Sequence, residues 1–447
     1  MSITRKMILC LVTFFAVVIM SPTSRADYYP YGAGIIYEPD MSPFPTKDYN
    51  GDIHTMPSLL GNWNNQRNVL ADYGVIFEVG FTSVLQHNTR GGTNTSNSDG
   101  YSGSLDYWLY LDTQRLGLWP GGQWKFHGET LFGNSPISYT GAVLPVNYDA
   151  LLPEIDKSGL TTLSELYLAQ YLTENILVLA GKIDPTFIVD RNVFANSERT
   201  QFQSAAFRSN PVIFRLAPYT SMAADLKIFA ADWLEISFFA LDTNSEGATR
   251  VGFDTAFESP QGTTYGTEWN FKINAWGQKG NQRFGYAYSD KEFVEIESDQ
   301  RIVIPEGTAT DGRNQNDYVI WYNFDQFIYT EDEDPSQGGG LFGRYGYSTG
   351  QSNPIAKFYS IGVGAKGILP DMDNDTCGAG YYYTELSNDF SPNLNLSSEQ
   401  GVELYYNAEI TKSVHFNQGI QWIVDPGAGF ESRRNAIVLY ARVQIDF

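Results

Sequence analysis

The sequence predicts an all-β chain, a transmembrane antiparallel β-barrel of about 16 strands with a short N-terminal helix and inward-folded loops. Three observations predict it. Ala436 to Phe447 alternates, with Ile437, Leu439, Ala441, Val443, Ile445 and Phe447 on one face and Val438, Tyr440, Arg442, Gln444 and Asp446 on the other. Successive strand residues point to opposite faces, so this strand has one apolar side and one mainly polar side. Runs of the same kind recur from about residue 73 onward. Strands of about ten residues, apolar outside and polar inside, mark a barrel in an outer membrane. The chain also carries 29 Tyr, 28 Phe and 9 Trp, and Tyr and Trp favour membrane–water interfaces.

The elements follow in order. Arg5 and Lys6 precede an apolar run from Met7 to Met20, and Ser24-Arg25-Ala26 follows. This is a secretory signal peptide, residues 1–26, cut after Ala26. A run of about 14 apolar residues is too short to span a membrane as a helix, which takes roughly 20. Leu9 precedes Cys10 where lipid attachment wants a small residue. Residues 27–57, rich in Tyr, Pro and Gly, read as an extended periplasmic lead-in, and 58–447 as the barrel domain. Ser58 to Ala71 can form a short helix with Leu59, Trp63 and Leu70 on one side.

Alternation begins at Tyr73, where Val75, Phe77, Val79 and Phe81 oppose Ile76, Glu78, Gly80 and Thr82. It continues through Leu105–Asp112, Trp124–Thr130, Leu163–Leu172 and Ile176–Lys182. It breaks over Asp184–Tyr219, which holds Phe194, Phe202, Phe207 and Phe214 with Arg191, Arg199, Arg208 and Arg215. Strand-like runs resume at Ala224–Ala231, Leu234–Asp242, Arg250–Phe257, Gly266–Ala275, Arg283–Ser289 and Tyr318–Tyr329. Gly340–Tyr347, Lys357–Lys366, Gly378–Leu386, Gly401–Thr411, Val414–Val424 and the terminal run complete 17. Single-chain bacterial barrels have even strand numbers, so one run is spurious or one is missing; the expected count is 16, and the short runs near residues 178 and 254 are the weakest. Connections alternate between short and long, as periplasmic turns and extracellular loops do.

Composition excludes several classes. Cleavage after Ala26 leaves 421 residues and removes Arg5, Lys6 and Arg25, which takes the net charge from −22 to −25. Nucleic acid is a poor partner for such a surface. Cys377 is the one cysteine left, so no intramolecular disulfide forms. No further apolar run approaches 18 residues, which excludes a helical membrane protein.

Single motifs carry little. Gly362-Val363-Gly364-Ala365-Lys366-Gly367 matches a dinucleotide fingerprint, but Ile368-Leu369-Pro370 follows where a helix must start. It reads better as the small-residue side of a barrel strand. Gly346-Tyr347-Ser348-Thr349-Gly350 matches a nucleophile elbow, yet Gln351-Ser352-Asn353-Pro354 is turn chemistry. The histidines 54, 87, 127 and 415 lack metal-ligand spacing. Glu331-Asp332-Glu333-Asp334 is most simply a solvated loop tip, although such carboxylates suit divalent cations shared with lipopolysaccharide. Paired acids such as Asp106 with Asp112 and Glu403 with Glu409 fit a wet barrel interior without a glycosidase.

The collective pattern is more informative. Asp106/Trp108, Lys125/His127/Glu129, Glu165/Tyr167, Trp321/Asp325, Arg344, Glu403/Tyr405 and Tyr440/Arg442 share the inward face. Aromatic faces can stack on the C–H patches of a sugar and charged groups can bind its hydroxyls. Many barrel lumens share this mixture, so it does not name sugars unaided.

Gly340-Leu341-Phe342-Gly343-Arg344-Tyr345-Gly346-Tyr347, Tyr322-Asn323-Phe324-Asp325-Gln326 and Ser398-Glu399-Gln400-Gly401-Val402-Glu403-Leu404-Tyr405-Tyr406-Asn407, with the terminal aromatic, resemble the carbohydrate-selective porins of the OprB type. Leu70-Ala71-Asp72-Tyr73-Gly74, Gly181-Lys182-Ile183-Asp184 and Ala206-Phe207-Arg208-Ser209-Asn210-Pro211 are similar in kind, and the resemblance covers about residues 58 to 447. One departure is Trp63-Asn64-Asn65 before Gln66-Arg67, where the family pattern has Trp-Gly-Gly.

The resemblance implies a Gram-negative outer-membrane porin that passes monosaccharides, often glucose, by facilitated diffusion. It implies no chemical step, no cofactor, and outer-membrane lipid and lipopolysaccharide as surroundings. It leaves both a single barrel and a homotrimer open. Residues expected to line the constriction or lumen are Asp106, Trp108, Lys125, Glu129, Glu165, Trp321, Asp325, Arg344 and Glu403. A general or cation-preferring pore, argued from the net charge, and a secreted β-rich sugar-binding protein are the competing functions.

Overall fold

A computed structural model describes residues 42–96, 98–149, 161–243, 262–294, 313–332, 334–370, 372–388, 397–426 and 434–447. The expected signal peptide, the lead-in as far as residue 41 and the strand expected over Arg250–Phe257 lie outside the described residues.

The alternating runs form β1 (Val75–Arg90), β2 (Asp99–Asp112), β3 (Gly122–Gly133), β4 (Thr161–Thr173), β5 (Ile176–Ile183), β6 (Ser221–Ala231), β7 (Leu234–Asp242) and β8 (Thr263–Ala275). After these come β9 (Gln278–Val294), β10 (Arg313–Thr330), β11 (Gly338–Ser348), β12 (Ile355–Lys366), β13 (Thr376–Leu386), β14 (Ser398–Thr411), β15 (Val414–Val424) and β16 (Ala436–Asp446). Each pairs with the next in sequence, and β1 pairs antiparallel with β16, so sixteen strands close into a barrel. Closure removes the sheet edges whose unpaired amides hydrocarbon cannot satisfy. β7 pairs directly with β8 and the ring closes without the 250–257 run.

Parity assigns the two faces as the alternation predicts. Leu85, Ile361, Leu404 and Leu439 are exposed on the outer wall, while their neighbours Gln86, Ser360, Glu403 and Tyr440 are buried inside. Two-residue turns at 174–175, 232–233, 276–277 and 412–413 lie at the end where β1 starts and β16 stops. Short turns mark the periplasmic end. The β10–β11 connection that carries Glu331, Asp332 and Asp334 is at this end too. That corrects the suggested link to lipopolysaccharide, because lipopolysaccharide occupies the opposite, outer leaflet.

The helix expected over Ser58–Ala71 is shorter: α1 spans Gln66–Asp72. The reason lies just before it, where Trp63, Asn64 and Asn65 have φ of 53°, 55° and 70°. Left-handed backbone cannot continue a right-handed helix, and asparagine is among the few non-glycine residues that adopt it readily. Asn64 and Asn65, where the family pattern has Gly-Gly, are thus residues that tolerate the backbone found here. Residues 42–57 contain no helix or strand, and most of them are exposed, but two aromatics anchor the segment. Phe44 and Tyr49 are buried, the Tyr49 amide donates to Asn68 Oδ1 at 2.8 Å, and Arg115 Nη1 donates to the Phe44 carbonyl at 2.7 Å.

The β5–β6 connection, residues 184–220, folds into the lumen. It reaches Arg344 on β11 through Asp190 and Glu129 on β3 through Tyr219, and these two strands face each other across the ring. Three of the four phenylalanines that interrupt the strand pattern, Phe194, Phe202 and Phe207, explain why it goes in. Phe202 lies 4.6 Å from Phe207, 5.4 Å from Phe342 and 4.7 Å from Tyr405, ring centre to ring centre. This is a hydrophobic core inside a polar barrel. Glycines give it a floor: a Cβ at Gly364 would stand 2.6 Å from Phe194, one at Gly380 2.5 Å from Phe207 and one at Gly378 2.9 Å from Phe202. The first five residues of the GxGxxG run are therefore the end of β12, and its Gly364 seats the loop. The GxSxG run belongs to β11 and its turn, with Ser348 Oγ donating to the Ile355 carbonyl at 2.6 Å.

Candidate permeation site

Five of the nine expected residues meet on the inner wall of β2, β3 and β4. Asp106 and Trp108 alternate on β2, Lys125 and Glu129 on β3, and Glu165 comes from β4. A register shift between His127 and Gly128 on β3 leaves Ser164 as an extra residue on β4. Such a bulge re-aims side chains, and here Ser164 and Glu165 are both turned inward and buried.

The wall is a connected charge network. Lys125 Nζ lies 2.5 Å from Glu165 Oε2. His127 bridges Asp106 and Glu165, with Nε2 2.8 Å from Asp106 Oδ1 and Nδ1 3.2 Å from Glu165 Oε2. Ser104 Oγ donates to Asp106 Oδ2 at 3.0 Å, and Ser164 Oγ donates to Glu129 Oε2 at 2.7 Å. The His127 ring stacks on Trp108 at 5.1 Å and 17°.

The inward loops complete the site. Glu129, on the wall, also accepts from the Tyr219 hydroxyl at 2.9 Å. Arg199 lies over the Trp108 ring at 5.0 Å and pairs with Asp446 at 3.1 Å. Arg208 pairs with Glu198 and lies 5.2 Å from the Tyr148 ring centre. Between loop and wall is a cavity of about 160 Å³, which Asp149, Asp184 and Phe187 also line. Asp149 accepts from Ser104 Oγ at 3.2 Å through Oδ1, whereas its buried Oδ2 has no hydrogen-bond partner among the described residues. Burial first, then the charges of Asp106 and Glu198, push its carboxyl up to about 7. Burial also raises the Asp184 carboxyl.

The other four expected residues lie away from this cavity. The Arg344 side chain is 0% exposed, held by Asp190 at 3.0 Å and by the carbonyls of Ala195 and Phe207 at 2.7 and 2.8 Å. Trp321 Nε1 donates to Glu268 at 2.7 Å. Asp325 is buried against Arg283 at 2.5 Å and Asn281 at 2.7 Å. Glu403 accepts two loop amides. All four face inward as parity requires, but three of them fasten or support the inner loop and Asp325 ties strands together.

Tyr148, Asp149, Phe187, Glu198, Arg199, Arg208 and Tyr219 were not anticipated. All sit on loops, where no periodicity exists to read. The signal available was the density of phenylalanine and arginine over Asp184–Tyr219, which is improbable for an exposed loop.

The comparisons with known proteins agree with this architecture. The high-pH structure of Pseudomonas putida OprB matches with a TM-score of 0.75 at 18% identity, over 89% of this chain and 100% of that one. The low-pH structure of the same protein matches with a TM-score of 0.55 at 16% identity, over 88% and 99%. At these identities the likeness is one of fold. No curated protein matches the sequence. The model of the family described as "Carbohydrate-selective porin, OprB family" matches residues 96–447. With the closed barrel and the match over most of its length, the chain belongs to the OprB family of carbohydrate-selective porins, channels of the Gram-negative outer membrane.

Proposed function

We propose that the chain gives facilitated diffusion of monosaccharides of the glucose type, with no chemical step. One observation carries this reading: a single cavity between wall and loops is lined both by the aromatic side chains of Trp108, Tyr148 and Phe187 and by a dense set of hydrogen-bonding groups. A pyranose offers C–H patches to the first and hydroxyls to the second. Lys125, His127, Arg199 and Arg208 are already paired with carboxylates, so at these groups a sugar exchanges contacts rather than gaining strong new ones. Transport needs such weak, multiple contacts, since a tightly held solute does not leave. Asp106, Trp108, Lys125, Glu129 and Glu165 would act from the wall, and Arg199 and Arg208 from the loop.

Liposome swelling with the purified, detergent-folded protein tests this. Glucose should enter faster than an amino acid of similar size and faster than a disaccharide. Entry ranked by size alone would refute sugar tuning, and no swelling with any solute would favour a sugar-binding protein.

A second reading, a cation-preferring diffusion pore, is favoured by the excess of acids around the cavity. Asp106, Glu129, Asp149, Glu165, Asp184 and Glu198 face Lys125, Arg199, Arg208 and His127. Planar-bilayer selectivity, measured with and without glucose, separates the two.

A further inference from the structure

Two glutamates four residues apart on β14 face inward, and each grips a different loop. Glu399 accepts the Val143 amide at 2.6 Å through Oε2 and the Leu144 amide at 3.2 Å through Oε1. Glu403 accepts the Gln203 amide at 2.6 Å through Oε1 and the Ser204 amide at 2.9 Å through Oε2. Each carboxylate thus takes two consecutive backbone N–H groups, one on each oxygen. Charge-assisted bonds of this kind are roughly twice as strong as neutral ones.

Each grip has the same support. The Tyr382 hydroxyl donates to Glu399 at 3.1 Å, and the Tyr440 hydroxyl to Glu403 at 2.7 Å. Both tyrosines lie across a glycine: a Cβ at Gly401 would stand 2.6 Å from Tyr382, and one at Gly419 would collide with Tyr440. The two gripped loops are also joined to each other. The Ala205 amide donates to the Pro145 carbonyl and the Tyr148 amide to the Gln203 carbonyl, each at 3.0 Å. Tyr148 and Asp149 lie a few residues beyond the first grip, and Glu198, Arg199 and Arg208 flank the second. All five line the cavity.

We propose that Glu399 and Glu403 are positioning residues that set the width and chemistry of the constriction by holding both inward loops against β14. Neither would touch the solute. The inference rests on the cavity being the permeation site.

The test uses full-length E399A, E403A, E399Q and E403Q, with the barrel checked by its heat-modifiable mobility on gels. In planar bilayers the alanine variants should raise single-channel conductance by about twofold or more and weaken glucose block, because released loops widen the narrowest section. The glutamine variants keep one acceptor oxygen and should fall between. A variant that is folded, less heat-stable and unchanged in conductance and block would overturn the proposal, since a merely structural role predicts that outcome. Should the alanine variants fail to fold, the glutamine variants and amide exchange in the unmodified protein carry the test. The Val143, Leu144, Gln203 and Ser204 amides must then exchange slowly, and fast exchange overturns the grip. Conductance needs no sugar, so failure of the sugar reading shows separately, as absent glucose block in the unmodified channel.

Discussion

Arg67 Nη2 donates at 2.9 Å to the main-chain oxygen of Phe447, which ties the N-terminal helix to the last residue of the chain. The same nitrogen donates to the Phe77 carbonyl at 2.7 Å, and Nη1 binds Ser58 Oγ. The guanidinium lies 3.9 Å from the Tyr49 ring centre and 5.1 Å from that of Trp63. One buried side chain therefore joins the lead-in, α1, the start of β1 and the chain end where the barrel closes.

Arg67→Ala should destabilise the barrel by about 2–4 kcal/mol, since bonds to a charged group contribute about 1.5–3 kcal/mol each and two part-buried carbonyls lose their donor. The measurement is the temperature at which the folded barrel converts to the slow-migrating form on gels. It should fall, while conductance near room temperature stays as it was. An unshifted transition would mean that the seam closes without this residue.

Trp108→Ala should remove an aromatic face that His127 and Arg199 now flank. Aromatic contacts contribute about 0.5–1.5 kcal/mol beyond area burial, so glucose block should weaken by roughly fivefold with the barrel intact. Glucose titration of bilayer current reads this directly, and unchanged block would take Trp108 out of the solute path.

Gly364→Ala and Gly380→Ala should push Phe194 and Phe207 off their floor and drive the loop toward the open side of the lumen. Overpacking costs about 1–3 kcal/mol, so the barrel should still fold. Conductance should drop in both, and Gly339→Ala, whose Cβ would meet nothing closer than 3.3 Å, should serve as a control with little change.

Asp149 gives the channel a pH dependence. Its carboxyl is pushed up to about 7 by burial and by Asp106 and Glu198, against Arg199 and Arg442. It is neutral below that pH and charged above it, so cation preference should rise as pH goes from about 6 to about 8. The sign for stability is opposite. The folded state holds this proton more tightly than the unfolded chain, so the group's contribution is full below an ordinary carboxyl pKa of about 4 and lost as pH rises through about 7. Reversal potentials across a salt gradient should show the step in the unmodified protein and lack it in Asp149→Asn. A step of equal size in both would assign it to another group.

The barrel was legible because its physics is local. A strand between lipid and water must alternate, so parity in Ala436–Phe447 and its forerunners gives the two faces and most of the strands, and the rule that such barrels have even strand numbers brings 17 runs to 16. That same parity put Asp106, Trp108, Lys125, Glu129 and Glu165 on the inner wall, where the structure has them. It could not separate them from Arg344, Asp325, Trp321 and Glu403, which face inward equally well. That distinction depends on what stands opposite each side chain, and what stands opposite is a loop with no periodicity. Arg344 meets Asp190 from a residue 154 positions earlier, and Glu403 meets Gln203 from 200 positions earlier. The sequence by itself determined which side chains enter the lumen. Only the tertiary structure, through the packing of Phe194, Phe202 and Phe207 on a floor of glycines, decided which of them fasten the loop and which line the cavity, because that choice rests on contacts between segments far apart in the chain.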